Sequence, residues 1–382
     1  MQCEYYQLDQ CRSCTWLDLE LETQHERKAE QVQEILPMIP AQAWLPMAYG
    51  PEAGFRAKAK MVVTGSWKDP QLGILNPDHS GQDLSQCPLY PKQMQELFPL
   101  LKTFIRLLRI PPYDVSRRSG ELKMIHVWIS PDNEFMVRWV LRSPKFLSQI
   151  KSKLPLLLAQ VPALKVVSVN LLPEHVALTE GAEEIILTPQ EHLPMRFAEQ
   201  TLFLRPGGFF QTNLFVTPEL YRQAAAWTAD LEACRAVDLF CGVGGFALWL
   251  ARPSWQVRGI EISEPAVAAA KMAVAVGLQR GTLPQDASLE FFAADASEVF
   301  ALVGDWDPQV AVVNPPRRGI GPETVAWLAG SGVKRLIYSS CNPRSLAKDL
   351  SQLTDYEVSA ARIFDLFPHT SHAEVMVKLE RK

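Results

Sequence analysis

The stretch DLFCGVGGF, residues 238–246, decides the fold class of this chain. An apolar strand here runs into a glycine-rich turn, where the backbone can approach a ligand closely before a helix begins. The next apolar segment ends at Glu261, about 20 residues further on, where a carboxylate can accept hydrogen bonds from ribose hydroxyls. The turn lacks the third-glycine spacing of the dinucleotide fingerprint. The pattern therefore favours S-adenosylmethionine over a dinucleotide.

Outward from this turn, apolar segments alternate with helix-compatible stretches. The segments end in small or polar residues and are AVDLFCGVG (236–244), WQVRGIEIS (255–263), LEFFAAD (289–295), VAVVNPP (310–316) and RLIYSSCNP (335–343). This alternation predicts βαβ units and a parallel sheet covered on both faces. Residues 50–200 instead carry short β-branched runs, which predict an antiparallel or mixed sheet. We expect an α+β domain over 1–200 and an α/β, Rossmann-like domain over 201–382.

The charge of the chain is unevenly distributed. The net charge is −4, which by itself disfavours a nucleic-acid partner, yet residues 51–155 hold 16 basic against 9 acidic side chains. Arg56, Lys58 and Lys60 alternate on a predicted strand, and another stripe, on a predicted helix, consists of Lys102, Arg106 and Arg109. Either cluster alone is typical of a solvated surface. Together in one basic third they indicate a surface that binds a polyanion.

The candidate catalytic residues also follow apolar segments. Cys341 is placed like a nucleophile at a strand end, although buried cysteines are common core residues. Glu374 closes FPHTSHAE (367–374) just before a last strand and is either a solvated turn residue or a base whose pKa burial would raise. Asp295, at the end of a third segment, suits the adenine amine of a cofactor.

The seven cysteines are an odd number and unevenly placed. Cys3, Cys11 and Cys14 form C-x7-C-x2-C, and Cys87 follows far along the chain before a proline. Three close thiols and a distant one favour iron–sulfur ligation over zinc, whose ligands usually come as two close pairs, but zinc and unrelated thiols stay open. No apolar run approaches the roughly 20 residues of a membrane span, and the start lacks a signal-peptide pattern. We expect a cytoplasmic protein with no membrane partner.

At these residues the chain resembles the RNA uracil-C5 methyltransferase family, and within it a branch that acts on 23S ribosomal RNA. The resemblance covers nearly the whole chain. The motifs that carry it are FFQTN (209–213), DLFCGVG (238–244), NPPRRG (314–319), SSCN (339–342) and FPHTSHAE (367–374). Their order and spacing make chance agreement very improbable.

The resemblance implies a specific set of roles. Cys341 would be the nucleophile that adds to uracil C6, and Glu374 the base that removes the C5 proton after methyl transfer. The S-adenosylmethionine site would be lined by Gln211, Phe240, Glu261 and Asn314, and a [4Fe–4S] cluster would be held by Cys3, Cys11, Cys14 and Cys87. Many members have Asp where Asn314 stands, and since an amide carries no charge we expect only a positioning role there.

Three other readings stay open on the sequence. An adenine or glutamine N-methyltransferase would use Asn-Pro-Pro, but usually with an aromatic residue next, where this chain has Arg317. A second reading is C5 methylation of another RNA, such as transfer RNA. A third is a non-catalytic, metal-stabilised RNA-binding protein. The cysteine spacing lacks the C-x3-C-x2-C pattern of radical chemistry, so we expect the cluster to have a structural role and to join the N-terminus to the basic middle region. We also expect a monomer.

Overall fold

The computed structural model describes residues 1–232, 234–294, 302–303 and 306–382, and Asp295 therefore lies outside the described residues. The chain folds as two compact units. The first comprises residues 1–14, 51–195 and 205–207, and the second comprises residues 15–50, 196–204 and 208–382. This division differs from a single boundary near residue 200, because residues 15–50 pack in the second unit.

The helices and strands are numbered in chain order. The helices are α1 (Glu4–Gln7), α2 (Leu21–Ile35), α3 (Lys92–Leu108), α4 (Leu147–Gln160), α5 (Thr217–Ala226), α6 (Gly245–Leu250), α7 (Glu264–Arg280), α8 (Gly321–Gly330) and α9 (Pro343–Leu350). The strands of the first unit are β1 (Lys58–Gly65), β2 (Pro70–Leu75), β3 (Gly81–Asp83), β4 (Leu122–Ile129), β5 (Phe135–Leu141), β6 (Leu164–Leu171) and β7 (Glu183–Ile186). The remaining strands are β8 (Leu193–Arg196), β9 (Thr201–Leu204), β10 (Arg235–Leu239), β11 (Gln256–Glu261), β12 (Ser288–Ala293), β13 (Val310–Val313), β14 (Arg335–Ser340), β15 (Tyr356–Phe364) and β16 (Glu374–Arg381).

The first unit is built on a mixed sheet of order β3-β2-β1-β4-β5-β6-β7. Its pairs are antiparallel except for β5 with β6, so the mixed sheet predicted for this region is confirmed. Along β1, Ala59 and Met61 are buried, whereas Lys58 and Lys60 lie on the opposite face. In α3, Lys102 forms a 2.6 Å ion pair with a carboxylate of β3, so part of its charge is already neutralised.

The second unit contains a sheet of order β12-β11-β10-β13-β14-β16-β15. The strands from β12 to β14 run parallel, as the alternating pattern predicts, and β16 is inserted antiparallel between β14 and β15. The central strands are buried on both faces, which explains their continuous apolar sequences. In such a sheet the polar residues that end the parallel strands meet at one edge.

Helix α2 lies far from this sheet in sequence but packs in its core. Val32 and Leu36 share a hydrophobic cluster with residues of β10, β13, β14 and β16. Burying each such side chain contributes about 1.5–3 kcal/mol. Among the described residues, no helix is both long and apolar enough to cross a bilayer.

Candidate active site

The glycine-rich turn after β10 is held in an unusual backbone conformation. Phe240 has a φ of +61° and Gly242 a φ of +54°, both in the left-handed region. A Cβ built on Gly242 would meet no atom within 4 Å, so the turn faces open space. A strained non-glycine residue beside an open turn is typical of a ligand-binding loop. The turn can therefore bring backbone close to a bound molecule.

Glu261, the last residue of β11, faces the same turn. One carboxylate oxygen accepts a 3.1 Å hydrogen bond from the Gly242 amide, and the other accepts one from the Ser263 amide at 3.1 Å. Each oxygen retains a further lone pair that can accept a ribose hydroxyl. Ile262 follows with its side chain 73% exposed, which is unusual for an isoleucine and leaves an apolar surface beside the carboxylate. These acceptor oxygens and this apolar surface fit the ribose and base of an adenosyl group.

The other predicted cofactor residues lie in the same unit. Phe240 directly follows β10, and Asn314 directly follows β13 and is half-buried. Gln211 is buried in the segment between β9 and α5. Two residues later, Asn213 is fully buried: its side-chain oxygen accepts from the Phe215 and Val216 amides, at 3.1 and 3.2 Å. Asn213 thus fixes the start of α5 and the path of the FFQTN segment.

Sheet topology brings Cys341 and Glu374 together. Cys341 follows the parallel strand β14, and Glu374 begins the antiparallel neighbour β16, so both lie at the same edge of the sheet. The last pair of the ladder is Ser340 with Val375, and one further step places Cys341 opposite Glu374. Burial raises the pKa of the Cys341 thiol, and the negative charge of the nearby Glu374 raises it further. The two candidate catalytic residues, 33 positions apart in sequence, are therefore cross-strand neighbours.

Glu374 is a fully buried carboxyl group. Burial raises its pKa to about 7, although a hydrogen bond from Ser339 acts in the opposite direction. The Ser339 hydroxyl donates this bond to Oε1 over 2.5 Å, and Ser339 is itself fully buried. A carboxyl group with a pKa near neutrality can accept a proton at physiological pH and release it afterwards.

Arg317 lies beside the Cys341 thiol. Burial raises the pKa of Cys341 and Glu374 raises it further, whereas the charge of Arg317 and its hydrogen bond to the thiol lower it. The Arg317 guanidinium is also 3.5 Å from His372 Nδ1. The backbone carbonyl of Arg317 accepts a 2.9 Å hydrogen bond from the Asn342 side-chain amide. A guanidinium in this position stabilises a thiolate.

The four predicted ligand cysteines lie in the first unit; they are Cys3, Cys11, Cys14 and Cys87. The hydroxyl of Tyr5 accepts a 3.2 Å hydrogen bond from the Gln86 amide, which joins the N-terminal segment to the Cys87 loop. Burial raises the pKa of Cys14 to about 12, and the other three thiols contribute to the increase, so the four share one neighbourhood. Within the described part of the chain, no group of three or more His, Cys, Asp or Glu residues is placed to hold a metal ion.

Two residues of this site were not identified from the sequence. Ser339 stands in SSCN beside the predicted nucleophile, but only the β14–β16 register reveals that its hydroxyl reaches Glu374. Arg317 was noted only as the residue after Asn-Pro-Pro, and its contact with the thiol depends on the fold. The sequence signal that could have identified Arg317 is a basic residue just beyond the end of a predicted strand.

Comparisons with known proteins give a consistent result. A family model described as tRNA (uracil-5-)-methyltransferase matches residues 190–382. A Shigella sonnei protein named 23S rRNA (uracil(747)-C(5))-methyltransferase RlmC is 43% identical over 100% of both chains, and an Escherichia coli O139:H28 protein of that name is equally similar. The solved structure of Pyrococcus abyssi tRNA (uracil-54, C5)-methyltransferase in complex with S-adenosyl-L-homocysteine has a TM-score of 0.77 and 24% identity, over 96% of this chain and 85% of that one. At that identity the likeness concerns the fold.

Proposed function

The chain belongs to the tRNA (uracil-5-)-methyltransferase family and is an S-adenosylmethionine-dependent RNA methyltransferase; on that basis we propose that it methylates C5 of uracil-747 in 23S ribosomal RNA. The full-length identity of 43% to relatives named for that nucleotide carries the choice of target. Uracils in RNA are usually reached when unpaired or flipped out of the stack. We therefore expect the target base to enter the site as an extruded base.

Cys341 starts the reaction as the nucleophile. Its thiolate forms a bond to uracil C6, which moves electrons onto C5 and makes that carbon nucleophilic. Arg317 stabilises the thiolate before this addition. C5 then takes the methyl group of S-adenosylmethionine, whose sulfonium bond breaks to give S-adenosylhomocysteine. A covalent intermediate remains, with a methyl group and a proton on C5 and the Cys341 sulfur on C6.

Glu374 completes the reaction as the base. Its carboxylate takes the C5 proton, the C5–C6 double bond reforms, and the C6–S bond breaks to release the thiolate of Cys341. A base with a pKa of about 7 is matched to this step, because it is ionised in a large fraction of molecules at neutral pH. The opposed positions of the two residues across β14 and β16 allow both to reach one uracil ring.

The cofactor residues have more general tasks. We propose that the Glu261 carboxylate accepts the ribose hydroxyls while Ile262 packs against the adenine. Phe240, Gln211 and Asn314 line the remainder of the cofactor site. Asn314 carries no charge and only positions bound molecules through hydrogen bonds. S-adenosylmethionine supplies the activated methyl group, and the chain supplies orientation and exclusion of water.

A test of methyl transfer separates the target RNAs. Labelled S-adenosylmethionine is incubated with a transcript of unmodified 23S ribosomal RNA containing uracil-747, with the same transcript carrying cytidine at that position, and with transfer RNA. We expect 5-methyluridine in the first RNA alone. Methylation of transfer RNA alone would overturn the proposed target.

Two substitutions test the residue roles in the same assay. Cys341→Ala is expected to give neither a covalent adduct nor product. Glu374→Gln is expected to transfer the methyl group and then accumulate a protein–RNA adduct, because the proton on C5 cannot be removed. Methylation by Cys341→Ala would refute covalent catalysis.

We further propose that Cys3, Cys11, Cys14 and Cys87 hold a [4Fe–4S] cluster. The other three thiols contribute to the raised pKa of Cys14, which supports one site shared by all four, and the spacing of three close cysteines and a distant one favours iron–sulfur ligation over zinc. A cluster bound there would join residues 1–14 to the Cys87 loop through its cysteine ligands, and the methyl transfer itself requires no electron from it.

A further inference from the structure

The buried stripe of α2 has an unusual composition. Gln24, Lys28 and Val32 in the helix, and Leu36 directly after it, are spaced four residues apart and are all buried. A stripe that faces a core is normally apolar throughout, and lysine is almost never fully buried unless it is paired. The first half of this stripe therefore meets polar groups rather than the core.

Those polar groups belong to the loop 365–373, which joins β15 to Glu374. The Lys28 ammonium donates to a carboxylate oxygen of Asp365 at 2.5 Å and to the Phe367 carbonyl at 2.9 Å. His25 lies 3.2 Å from the other Asp365 oxygen. Burial acts to raise the pKa of Asp365, but its contact with His25 and the charge of Lys28 outweigh burial, and the pKa is lowered. Asp365 is therefore a buried carboxylate held by α2.

The middle of the loop is held by Gln24. Its side-chain oxygen accepts a 2.9 Å hydrogen bond from the His369 amide, and its nitrogen is 3.2 Å from His369 Nδ1. The Trp16 amide donates to the His369 carbonyl at 3.0 Å. His369 is fully buried and has a φ of +66°, a conformation that a non-glycine residue keeps only when its surroundings fix it.

Stability alone does not explain such an arrangement. A well-packed apolar pair usually stabilises a fold as well as or better than a buried ion pair, and buried ion pairs are retained in some systems because they specify one conformation. Here the polar residues satisfy backbone groups of the loop that an apolar residue would leave unpaired. The loop they fix lies directly before Glu374 and includes His372, which contacts Arg317 beside the nucleophile.

We propose that Lys28 and Gln24 are positioning residues of the uracil-C5 reaction: from the N-terminal part of the chain, they hold the loop 365–373 in the conformation that keeps Glu374 enclosed and aimed at its substrate. The matching family model covers residues 190–382 and assigns nothing to α2. The inference rests on the proposed function, since Glu374 must act as the base. It makes α2 part of the catalytic apparatus, although neither residue touches the reacting atoms.

The test separates the two halves of the reaction. Full-length Lys28→Met and Gln24→Leu are mixed in single-turnover reactions with S-adenosylmethionine and the uracil-747 transcript, and adduct and free 5-methyluridine RNA are followed on denaturing gels. Adduct formation is expected to stay within about twofold of wild type, while adduct release slows by about tenfold to a hundredfold, the range for a misplaced catalytic group. The adduct then accumulates, as with Glu374→Gln.

Arg27→Met is the matched control, since Arg27 is exposed on the same helix and its replacement also removes a cation. We expect this variant to release the adduct at the wild-type rate. S-adenosylhomocysteine affinity and urea unfolding are measured for each variant. Gln24→Leu removes no partner of a buried charge and keeps the test decisive if Lys28→Met does not fold. Unchanged release in a folded variant, or equal slowing of both steps, would overturn the inference. Wild-type protein that forms neither adduct nor product would instead contradict the proposed function.

Discussion

Replacing Ser339 with alanine removes the hydroxyl that donates to Glu374 over 2.5 Å. That bond favours the ionised carboxylate and lowers its pKa, whereas burial raises it, with a net value of about 7. A hydrogen bond to a charged group contributes about 1.5–3 kcal/mol, which corresponds to roughly 1–2 pKa units. We therefore expect the pKa of Glu374 to rise to between about 8 and 9 in Ser339→Ala.

The direction of the pH effect follows from the role of Glu374. A base acts in its deprotonated form, so elimination speeds up as the pH rises through the pKa. In Ser339→Ala this rise should move up by roughly 1–2 pH units, and release at pH 7 should fall about 5- to 50-fold.

The assay measures decay of the preformed adduct at a series of pH values, because ionisation of Cys341 no longer contributes once its sulfur is bound. Ser340→Ala is the control, since the Ser340 hydroxyl bonds to the backbone of Asn342 rather than to Glu374. Its pH profile should match that of wild type. A Ser339→Ala profile that does not move, or that moves to lower pH, would refute the assignment of Glu374 as the base.

Three further predictions concern other parts of the chain. Gly245→Ala should lower the free energy of unfolding by about 1–3 kcal/mol in urea titrations, because its Cβ would lie 2.4 Å from the Tyr221 ring and this overlap outweighs the usual helical preference for alanine. Glu261→Ala should weaken S-adenosylhomocysteine binding about tenfold by calorimetry, and unchanged affinity would argue against the ribose contact. Cys87→Ser purified anaerobically should lose bound iron and sulfide, whereas Cys234→Ser should keep both; an iron-free wild-type protein that is fully folded would contradict the cluster.

The strand pattern of the catalytic unit could be predicted from the sequence because each buried parallel strand is a continuous apolar run. The helix-compatible stretch predicted after the segment 255–263 appears as α7, and the predicted last strand appears as β16 with Glu374 as its first residue. The positions of Cys341 and Glu374 at strand ends follow from the same pattern. Their pairing could not be predicted, since it depends on β16 being inserted antiparallel beside β14.

The assignment of residues 15–50 depended on three-dimensional packing. The change of strand and helix pattern near residue 200 placed this segment with the N-terminal domain, yet Val32 and Leu36 pack in the core of the catalytic unit. Helical spacing alone could not show that Lys28 is buried, because the residues that follow it, EQVQEI (30–35), are mostly polar and do not mark one face of the helix as buried. Lys28 becomes informative only in the structure, where Asp365, more than 300 positions away in sequence, accepts a hydrogen bond from its ammonium group.

The sequence by itself determined the fold class, the cofactor class and the candidate chemical groups, because apolar periodicity, a glycine-rich turn and the FFQTN, NPPRRG and SSCN motifs are local features of the chain. Tertiary structure decided how those groups are tuned. The pKa of Glu374, the charge beside Cys341 and the support of the loop 365–373 arise from burial and from contacts between segments distant in sequence. Electrostatic environment is set by every neighbour in space, and local sequence describes only the neighbours along the chain.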